Sequence, residues 1–347
     1  MKITTTRTKL ELRYTFRIAR SADDVRESVL VRLDDEGTFG LGEAAPMTRY
    51  NQSAGSAQEA LEGLEPALLE PSAHIDDILD RCAEALGGQH AALAAVDLAL
   101  HDLLGKRLGV PLYAVLGLNP DRTPVTSFTI GIDRPDVIED KVREAEDFQV
   151  LKVKMGLEND REIMERIRTV TDRTVRVDAN EGWTREEALE KAEWLSGQNV
   201  EFIEQPIPAG NPDDMRWLAE RSPLPLFADE SVLGLEDIPK LRGLFHGINI
   251  KLMKCGGVRE ALRMIHTARA CGMKIMLGCT IESSVGITAA AHLSPLVDYA
   301  DLDGNILITN DPAVGVVNAA GKLILPKGNG LGVTLQKGPD REAPAGN

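Results

Sequence analysis

The sequence predicts an α/β protein in which a (β/α)8 barrel, in the modified TIM form, carries an N-terminal α+β capping domain. The main observation is a repeat that begins after Val125, where short apolar or β-branched runs alternate with helical patterns about every 24 residues. Eight such units make a closed barrel. Strands and helices are mixed before the repeat. No Gly-x-Gly-x-x-Gly follows an early strand, which gives a dinucleotide-binding fold no support.

The predicted barrel strands end close to chemically distinctive residues. The eight expected ends are Ile130, Lys154, Asp178, Glu204, Asp229, Lys251, Gly278 and Asp301. We expect residues 1–122 to form the capping domain, residues 123–310 the barrel, and residues 311–347 a C-terminal segment that returns to the capping domain. In that segment we expect a strand at Lys322–Leu325 and a frayed tail at Lys337–Asn347, which is rich in Pro, Gly and charge.

Alternating polar and apolar residues predict antiparallel strands in the capping region, and longer amphipathic stretches predict helices. The expected strands are Lys9–Phe16, Ser28–Leu33 and Thr38–Gly42, with a turn at residues 34–37. The expected helices are Ser56–Leu69, Ile75–Leu86 and Ala91–Leu108.

The charge balance excludes several classes of function. The 347 residues contain 39 Lys and Arg against 54 Asp and Glu, a net charge of −15. A nucleic-acid-binding surface needs a dense cationic face, and an anionic membrane surface repels an acidic protein. We therefore expect neither nucleic acid nor membrane as a partner. Apolar residues make up 43% of the chain and are spread along it, which predicts a globular enzyme or binding protein.

The N-terminal residues and the cysteines predict a cytoplasmic protein. The first residues alternate polar and apolar side chains and contain no hydrophobic signal core. No uninterrupted apolar stretch is long enough to span a bilayer. The four cysteines form no CxxC pair and have no histidine partner at zinc spacing, so we expect reduced thiols rather than a metal or redox site.

Two lysines are predicted to face the barrel interior at the end of the second strand. Alternation sends Leu151 and Val153 to the helix-covered outside, and Lys152 and Lys154 inward. Buried lysines are costly, and adjacent like charges lower each other's pKa toward the range of a general base. The alternative is a solvated Lys-x-Lys pattern on a surface strand.

Acidic residues at the ends of three consecutive strands predict a metal site. Asp178, Glu204 and Asp229 end strands three, four and five, and Asn180 follows the first of them. A single acidic residue after a strand is usually a turn or helix cap. Three converging carboxylates that leave positions for water suit Mg²⁺, whereas without a cation they would repel one another. We therefore expect one Mg²⁺ per subunit.

Further candidates lie on strands six and eight. Alternation points Lys251 inward, across the barrel from strand two. Lys254 has the opposite parity and is expected in the following loop, so it serves as the fallback for Lys251. Strand eight ends in Asp301 and Asp303, two carboxylates of matching parity, for which a turn capped by Asp-Gly is the alternative interpretation.

Taken together, these motifs resemble those of the enolase superfamily, and specifically its muconate-lactonizing-enzyme subgroup. The resemblance runs over almost the whole chain. It comprises Gly105–Leu112 in the capping region, Lys152-x-Lys154, Asp178-Ala179-Asn180, Glu204-Gln205-Pro206, Asp229-Glu230-Ser231 and Lys251-x-x-Lys254-x-Gly256-Gly257.

The resemblance implies a role for each of these positions. The three acidic residues would hold one Mg²⁺, and Lys154 and Lys251 would be the two acid/base groups. Lys152 would neutralise the substrate carboxylate and lower the pKa of Lys154. The N-terminal domain would cap the barrel.

The chemistry of the residues agrees with that implication. The α-proton of a carboxylate is weakly acidic, so the enediolate left by its removal needs a divalent cation and nearby lysines. Lysines on opposite faces allow the proton to leave on one side and return on the other. Asp301-Leu302-Asp303 is similar to the Asp-x-Asp motif with which dipeptide epimerases bind the α-ammonium group. We therefore expect Mg²⁺-dependent epimerisation of the C-terminal residue of a dipeptide.

Other functions share the same site. A muconate-type cycloisomerase, an o-succinylbenzoate synthase and an N-acylamino acid racemase are the alternatives, although the first two have substrates with no cation for Asp301 and Asp303. A non-catalytic carboxylate binder is the remaining alternative, in which the inward lysines would be idle. The expected partner is a small dipeptide, and we expect a homo-oligomer.

The resemblance also places a specificity loop at about Phe16–Arg26. In L-Ala-D/L-Glu epimerases an arginine of this loop binds the glutamate side chain. Arg20 lies near that place, but an ungapped comparison puts Ser21 there instead. Acidic, hydrophobic and cationic dipeptides therefore remain open, with Asp23 and Asp24 as partners for a cationic one. Alternatively, these are solvated loop charges.

Overall fold

A computed structural model of the chain describes residues 1–70 and 74–336. It contains an N-terminal domain of antiparallel strands and helices, a barrel of parallel strands and a C-terminal segment of short strands. The predicted frayed tail, Lys337–Asn347, lies outside the described residues.

Long antiparallel strands build the N-terminal domain. They are β1 (Lys2–Ile18), β2 (Ser21–Asp35) and β3 (Thr38–Ala44). The helices that share a core with this sheet are α1 (Ala54–Glu62), α2 (Ile75–Leu86) and α3 (His90–Leu108). Packing between β3 and α3 is very close, because a Cβ at Gly40 would lie 1.9 Å from the carbonyl oxygen of Ala99. Only glycine allows this approach.

The predicted loop at residues 16–26 is instead a β-hairpin. Strands β1 and β2 continue through it, with Phe16 paired to Asp23 and Ile18 to Ser21. The hairpin tip therefore lies at residues 19–20. The pairing of the two flanking strands continues up to the turn, so both strands extend beyond their predicted ends.

The first predicted helix is also shorter than expected. Helix α1 ends at Glu62, and Pro66 begins a separate 3-10 turn that ends at Leu69. Proline has no amide hydrogen and clashes with the preceding helical turn, so a single helix over residues 56–69 is excluded. The other two predicted helices of the domain are confirmed to within one residue.

Eight parallel strands form the barrel, hydrogen-bonded in the order in which they occur along the chain. They are β4 (Phe128–Ile130), β5 (Val150–Lys154), β6 (Thr174–Asp178), β7 (Val200–Glu204), β8 (Leu226–Ala228), β9 (Gly247–Lys251), β10 (Lys274–Gly278) and β11 (Tyr299–Asp301). The predicted strand ends are confirmed, the fifth to within one residue.

Helices alternate with these strands. A short helix, α4 (Leu112–Val115), precedes the barrel, which contains α5 (Pro135–Glu144), α6 (Asp160–Val170), α7 (Arg185–Leu195), α8 (Pro212–Ala219), α9 (Leu252–Cys255), α10 (Val258–Ala270) and α11 (Ser284–Leu293). Between β8 and β9 the connection is a 3-10 helix, Leu235–Leu241. None of the helices in residues 1–70 and 74–336 has the length and apolar character needed to cross a membrane.

A bridge between Thr126, just before β4, and Ala300 of β11 closes the ring of strands. Because the strands follow one another in order, β5 and β9 lie on opposite sides of the ring. The outward residues Leu151 and Val153 of β5 are fully buried in the core between strands and helices. Alternation then leaves the two lysines of β5 facing inward, as predicted.

The C-terminal segment contains four short strands, β12 (Ala313–Val314), β13 (Val317–Ala319), β14 (Lys322–Ile324) and β15 (Thr334–Leu335). The predicted strand at residues 322–325 exists as β14, but it pairs with β13 rather than with the N-terminal domain. The segment meets the N-terminal region elsewhere. Leu12 bridges Ile308, and Leu112 N donates a hydrogen bond to Gly330 O at 2.7 Å.

Buried carboxylates of the N-terminal domain bind the first amides of two barrel helices. Asp97 of α3 accepts hydrogen bonds from Val258 N at 2.6 Å and from Arg259 N at 3.2 Å, at the start of α10. Glu43 of β3 accepts one from Gly286 N at 3.0 Å, at the start of α11. Such amides lack intrahelical partners and carry partial positive charge. These contacts attach the domain to the barrel.

Candidate functional site

A cavity of about 310 Å³ lies between the carboxyl ends of the barrel strands and the N-terminal domain. Its barrel side includes Lys152, Lys154 and Lys251. Its opposite side comes from the β1–β2 hairpin and from residues 45–50. That side mixes apolar side chains, among them Phe16 and Met47, with the charged side chains of several arginines. The cavity therefore combines a charged floor with a roof that is partly apolar and partly charged, and small-molecule sites commonly pair apolar walls with a few polar groups.

Three carboxylates converge beside this cavity. Oxygen atoms of Asp178, Glu204 and Asp229 all lie within 4.8 Å of one another. The three residues are almost fully buried. Asp178 and Glu204 are register partners on β6 and β7, and Asp229 directly follows β8. Neighbouring parallel strands that end at the same level account for the cluster, as the sequence predicted.

This donor set fits a divalent cation. Burial, followed by the negative charge of Asp178, raises the pKa of Glu204 to about 7. Crowded buried carboxylates behave in this way when no cation compensates them. Asn249 Nδ2 donates a hydrogen bond to Glu204 Oε1 at 2.7 Å and so orients that carboxylate. All-oxygen sites of this kind suit a hard cation such as Mg²⁺.

Lysines surround the same carboxylates. Lys152 Nζ lies 2.7 Å from Glu204 Oε2 and 3.2 Å from Asp178 Oδ2, and Lys154 Nζ donates to Asp178 Oδ2 at 2.6 Å. The expected lowering of lysine pKa does not hold for Lys152. Burial lowers its pKa, but the charges of Asp301, Glu204 and Asp178 outweigh burial and raise it well above the usual value. The pKa of Lys152 is raised by its negatively charged neighbours, which strand alternation does not reveal.

Lys251 and Lys254 both meet Asp229, but only Lys251 faces the cavity. Lys251 Nζ donates to Asp229 Oδ2 at 2.8 Å. Lys254 is in helix α9, not in a loop, and its Nζ donates to Asp229 Oδ1 at 2.6 Å and to Val232 O at 3.1 Å. Lys254 therefore holds Asp229 from the side away from the cavity, and Lys251 is the one of the two lysines that lines the cavity.

Asp301 and Asp303 line the cavity and bond to β4, to the residue before it and to β5 rather than capping their own turn. Ser127 Oγ donates to Asp301 Oδ1 at 2.7 Å, and Thr129 N donates to Asp303 Oδ2 at 2.6 Å. Lys152 Nζ donates to Asp301 Oδ2 at 2.7 Å. Burial and the charge of Asp301 raise the pKa of Asp303 to about 7.

At the hairpin tip, Arg20 and Ser21 also line the cavity. Arg20 is already engaged by the barrel. Its Nη2 lies 2.5 Å from Glu230 Oε1, its Nη1 lies 3.5 Å from Glu181 Oε2, and Nη1 also donates to Asn180 O at 3.0 Å. Asn180 itself lines the cavity and holds a left-handed backbone, with φ +45°. Arg20 thus ties the tip to the barrel.

Asp23 and Asp24 are not among the residues that line the cavity. Arg26 Nη2 lies 2.7 Å from Asp23 Oδ2, and Thr15 Oγ1 donates to Asp24 Oδ1 at 2.6 Å. Both carboxylates are therefore paired within the hairpin.

Several cavity residues escaped sequence reasoning. Arg49 and Tyr50 belong to the roof, and Arg49 Nη2 lies 2.8 Å from Glu181 Oε1. Cys279 was expected only as a reduced thiol, yet it also lines the cavity. Its position directly after β10 was the one available signal, since the other site residues also follow strand ends. The roof residues carried no such signal because their contacts cross between domains.

Known proteins share this architecture. The L-Ala-D/L-Glu epimerase of Bacteroides thetaiotaomicron is 45% identical over 96% of this chain and 88% of that protein. The L-Ala-D/L-amino acid epimerase of Pedosphaera parvula is 44% identical over 90% of this chain and 93% of that protein. The crystal structure of the dipeptide epimerase from Enterococcus faecalis V583, complexed with Mg and the dipeptide L-Leu-L-Tyr, is 32% identical, with a TM-score of 0.88 and coverage of 96% of this chain and 98% of that chain.

Family models match both parts of the chain. One described as the N-terminal domain of mandelate racemase / muconate lactonizing enzyme matches residues 1–117, and one described as enolase C-terminal domain-like matches residues 137–339. Together they span most of the sequence, and the described strands and helices have the corresponding architecture. The chain therefore belongs to the mandelate racemase / muconate lactonizing enzyme family of the enolase superfamily.

Proposed function

We propose that the protein is a Mg²⁺-dependent dipeptide epimerase, an isomerase that inverts the α-carbon of the C-terminal residue. The observation that carries this proposal is one cavity that holds inward lysines of two opposite strands and the pair Asp301 and Asp303, beside a cluster of three carboxylates. The lysines and the metal site serve proton transfer beside a carboxylate. The aspartate pair adds acceptors for an α-ammonium group. Relatives named as dipeptide epimerases support the proposal.

The floor of the cavity binds the substrate carboxylate. Asp178, Glu204 and Asp229 would hold one Mg²⁺, which when bound supplies positive charge that makes the neighbouring α-proton more acidic. Lys152 is only 2% exposed and places a further positive charge beside this cluster. Its ammonium group pairs with the substrate carboxylate and fixes the α-carbon between the two sides of the barrel.

Lys154 and Lys251 transfer the proton. They project from β5 and β9, on opposite sides of the ring, so each faces a different side of the α-carbon. A neutral lysine removes the α-proton and leaves a planar enediolate. The opposite ammonium group then returns a proton to the other side, which restores the carboxylate and inverts the configuration. Asp178 and Asp229 orient the two Nζ atoms.

The proposal is tested by incubating a library of L-Xaa-L-Xaa dipeptides in D₂O with Mg²⁺. Deuterium is expected at the α-carbon of the C-terminal residue, together with inversion, and EDTA is expected to stop both. Lys154→Ala and Lys251→Ala should each abolish inversion. Because each lysine serves one face of the α-carbon, one variant should still exchange the α-proton of the L epimer only, and the other that of the D epimer only. Mass spectrometry and chiral chromatography read the result.

The control is Lys240→Ala, which removes an exposed lysine outside the cavity and is expected to leave the rate unchanged. An enzyme that exchanges no dipeptide of the library is not a dipeptide epimerase. Binding of Mg²⁺ and a carboxylate with rates insensitive to both cavity lysines would point instead to a non-catalytic binder.

We further propose a homo-oligomer in the cytoplasm. Val317 and Ile324 are cross-strand partners whose side chains are largely exposed, with exposed Val314 close by in sequence. Grouped apolar side chains of this kind favour burial against a second subunit. Light scattering of the wild type and of Val317→Lys tests the assembly, with a smaller species expected for the variant.

The four cysteines are free thiols, which suits a reducing compartment such as the cytoplasm.

A further inference from the structure

We propose that Phe16, Thr129 and Leu307 form a partition that limits the N-terminal residue of the dipeptide to a small side chain, such as the methyl group of alanine. A second, smaller cavity lies behind this partition and becomes part of the substrate site when the partition is opened. This inference rests on the proposed function, because it concerns how the same site selects its substrate.

Two cavities lie on either side of the partition. The first is the cavity of about 310 Å³ at the strand ends, and the second has a volume of about 30 Å³ and lies between β1, β4 and α5. Phe16, Thr129 and Leu307 line both, so the same three residues form a wall of each cavity. The second cavity is large enough to hold water but too small for a dipeptide.

The partition adjoins the carboxylate proposed to receive the α-ammonium end of the substrate. Thr129 N donates a hydrogen bond to Asp303 Oδ2 at 2.6 Å. The turn after Asp303 is closed by a hydrogen bond of 3.0 Å from Ile306 N to Asp303 O, and it brings Leu307 back to the wall of the cavity. An N-terminal residue whose ammonium group lies at Asp303 therefore has its side chain close to the partition.

Contacts with β1 hold the partition in place. Arg13 N donates a hydrogen bond to Leu307 O at 2.9 Å. The side chains of Phe16 and Leu307 pack on a small cluster of buried apolar residues, Leu10, Ile281 and Ile308. A side chain larger than a methyl group would have to push these packed groups aside, and such displacement is costly in a close-packed interior. The partition therefore discriminates by size.

The second cavity offers a mainly apolar environment, because its charged groups already have partners. Lys141 Nζ lies 2.9 Å from Asp133 Oδ2 and 4.9 Å from the centre of the Tyr14 ring. Tyr14 Oη donates a hydrogen bond to Glu144. A charged side chain that entered this space would find no free partner, and its burial would be costly. We therefore expect the opened site to accept an aliphatic residue such as leucine.

Leu307→Ala opens the partition and joins the two cavities. Leu307 is a better choice than Phe16, because the centre of the Phe16 ring is only 5.9 Å from Lys154 Nζ, a group that transfers the proton. The matched control is Leu12→Ala. Leu12 packs on the same apolar cluster and lines the second cavity, but it does not line the first. Both leucines are half-buried, so the two truncations should cost similar stability.

The test compares three dipeptides that share one C-terminal residue and begin with glycine, L-alanine or L-leucine. The shared residue is the one that exchanges fastest in the library, and the measurements are deuterium exchange and titration calorimetry with Mg²⁺ present. For the wild type we expect kcat/KM to be at least about 30-fold higher with N-terminal alanine than with leucine. In Leu307→Ala this preference should fall below about threefold through a gain for the leucine dipeptide, and in Leu12→Ala it should stay at the wild-type value.

Leu307→Phe supplies the opposite change and keeps the test decisive where Leu307→Ala does not fold. A bulkier partition should lower kcat/KM for the alanine dipeptide more than for the glycine dipeptide. A wild type that uses the leucine dipeptide as well as the alanine dipeptide would overturn the inference. Unchanged preferences in both Leu307 variants, or an equal gain for leucine in Leu12→Ala, would do the same.

Each of these adverse results includes exchange of a dipeptide by the wild type and so leaves the proposed function standing. Absence of exchange in the wild type with every dipeptide of the library refutes the proposed function instead, and the inference falls with it. The two failures are therefore distinguishable.

Discussion

The N-terminal domain contacts the barrel through two regions that differ in burial and in chemistry. On one side, Asp97 and Glu43 are buried and accept hydrogen bonds from the first amides of α10 and α11. On the other side, the arginines Arg20 and Arg49 reach over the cavity with side chains that are 35% and 41% exposed. We call these the anchor and the rim. Buried contacts of the first kind contribute strongly to stability, whereas exposed ion pairs contribute little.

The difference indicates how the cavity is closed. The anchor fixes one edge of the domain, because its two carboxylates are almost fully buried and are bonded to the amides of the barrel helices. The rim lies over the cavity, and its two arginine side chains are partly exposed to water, whereas their partners Glu230 and Glu181 are mostly buried. We therefore expect the rim to open more easily than the anchor, which leaves the hairpin edge as the side where a substrate enters.

The largest expected effect on the free energy of unfolding concerns Glu282, which lies beside the anchor. A Cβ at Gly286 would lie 2.4 Å from Glu282 Oε2 and 3.2 Å from Glu43 Oε2, so the two carboxyl groups are close. Burial, and next the charge of Glu43, raises the pKa of Glu282 from 4.5 to about 8.

A carboxyl group whose pKa is raised by folding binds more protons in the folded state, so its contribution to stability is lost as pH rises. Between pH 4.5 and about 8 the free energy of unfolding should fall by about 4 kcal/mol because of this group. Glu282→Gln should remove that part of the pH dependence. Urea unfolding at several pH values measures it, and an identical slope in variant and wild type would contradict the assignment.

A somewhat smaller effect is expected from Asp97→Ala. The variant leaves Val258 N and Arg259 N without an acceptor inside the protein, and we expect a loss of about 3 kcal/mol in the free energy of unfolding. Asp97→Asn keeps an acceptor oxygen and should recover at least half of that loss. Urea unfolding compares the three proteins. Equal stability of Asp97→Ala and the wild type would show that the anchor does not hold the domain.

The smallest effect on stability is expected at the rim. Glu181 pairs with both Arg20 and Arg49, yet Glu181→Gln should cost less than about 1 kcal/mol. Since the hairpin is then held less firmly, KM for a dipeptide should rise and kcat should change little. Glu186→Gln, which removes an exposed charge paired with Arg185 outside the cavity lining, is the control. A loss of stability in Glu181→Gln as large as that in Asp97→Ala would show that the rim and the anchor contribute equally to stability.

The barrel and its charged strand ends were predictable because they depend on local periodicity. The positions of Lys152, Lys154 and Lys251 follow from alternation within single strands, and the convergence of the acidic residues follows from parallel strands that end at one edge. Each inference needs only a few neighbouring residues and the rule that side chains alternate. The observed strand ends agree with it.

The partners of those side chains were not predictable in the same way. Ser127 meets Asp301 across 174 residues of sequence, and Glu43 meets Ser283 across 240. No periodic pattern links residues so far apart. The hairpin at residues 16–26 was missed for a related reason, because a short turn within a long strand pair carries little local signal when its residues are charged.

The sequence by itself determined which residue types stand at the ends of the barrel strands, and hence that a carboxylate site with lysines on two sides would form. Only the tertiary structure decided which charged partner each of those groups has. Lys152 is held by Asp301, Lys254 holds Asp229 from the side away from the cavity, and Asp303 has no cationic partner within the described chain. Alternation sets the direction of a side chain through the local backbone, whereas its charge partners are set by distances between strands that the chain brings together only on folding.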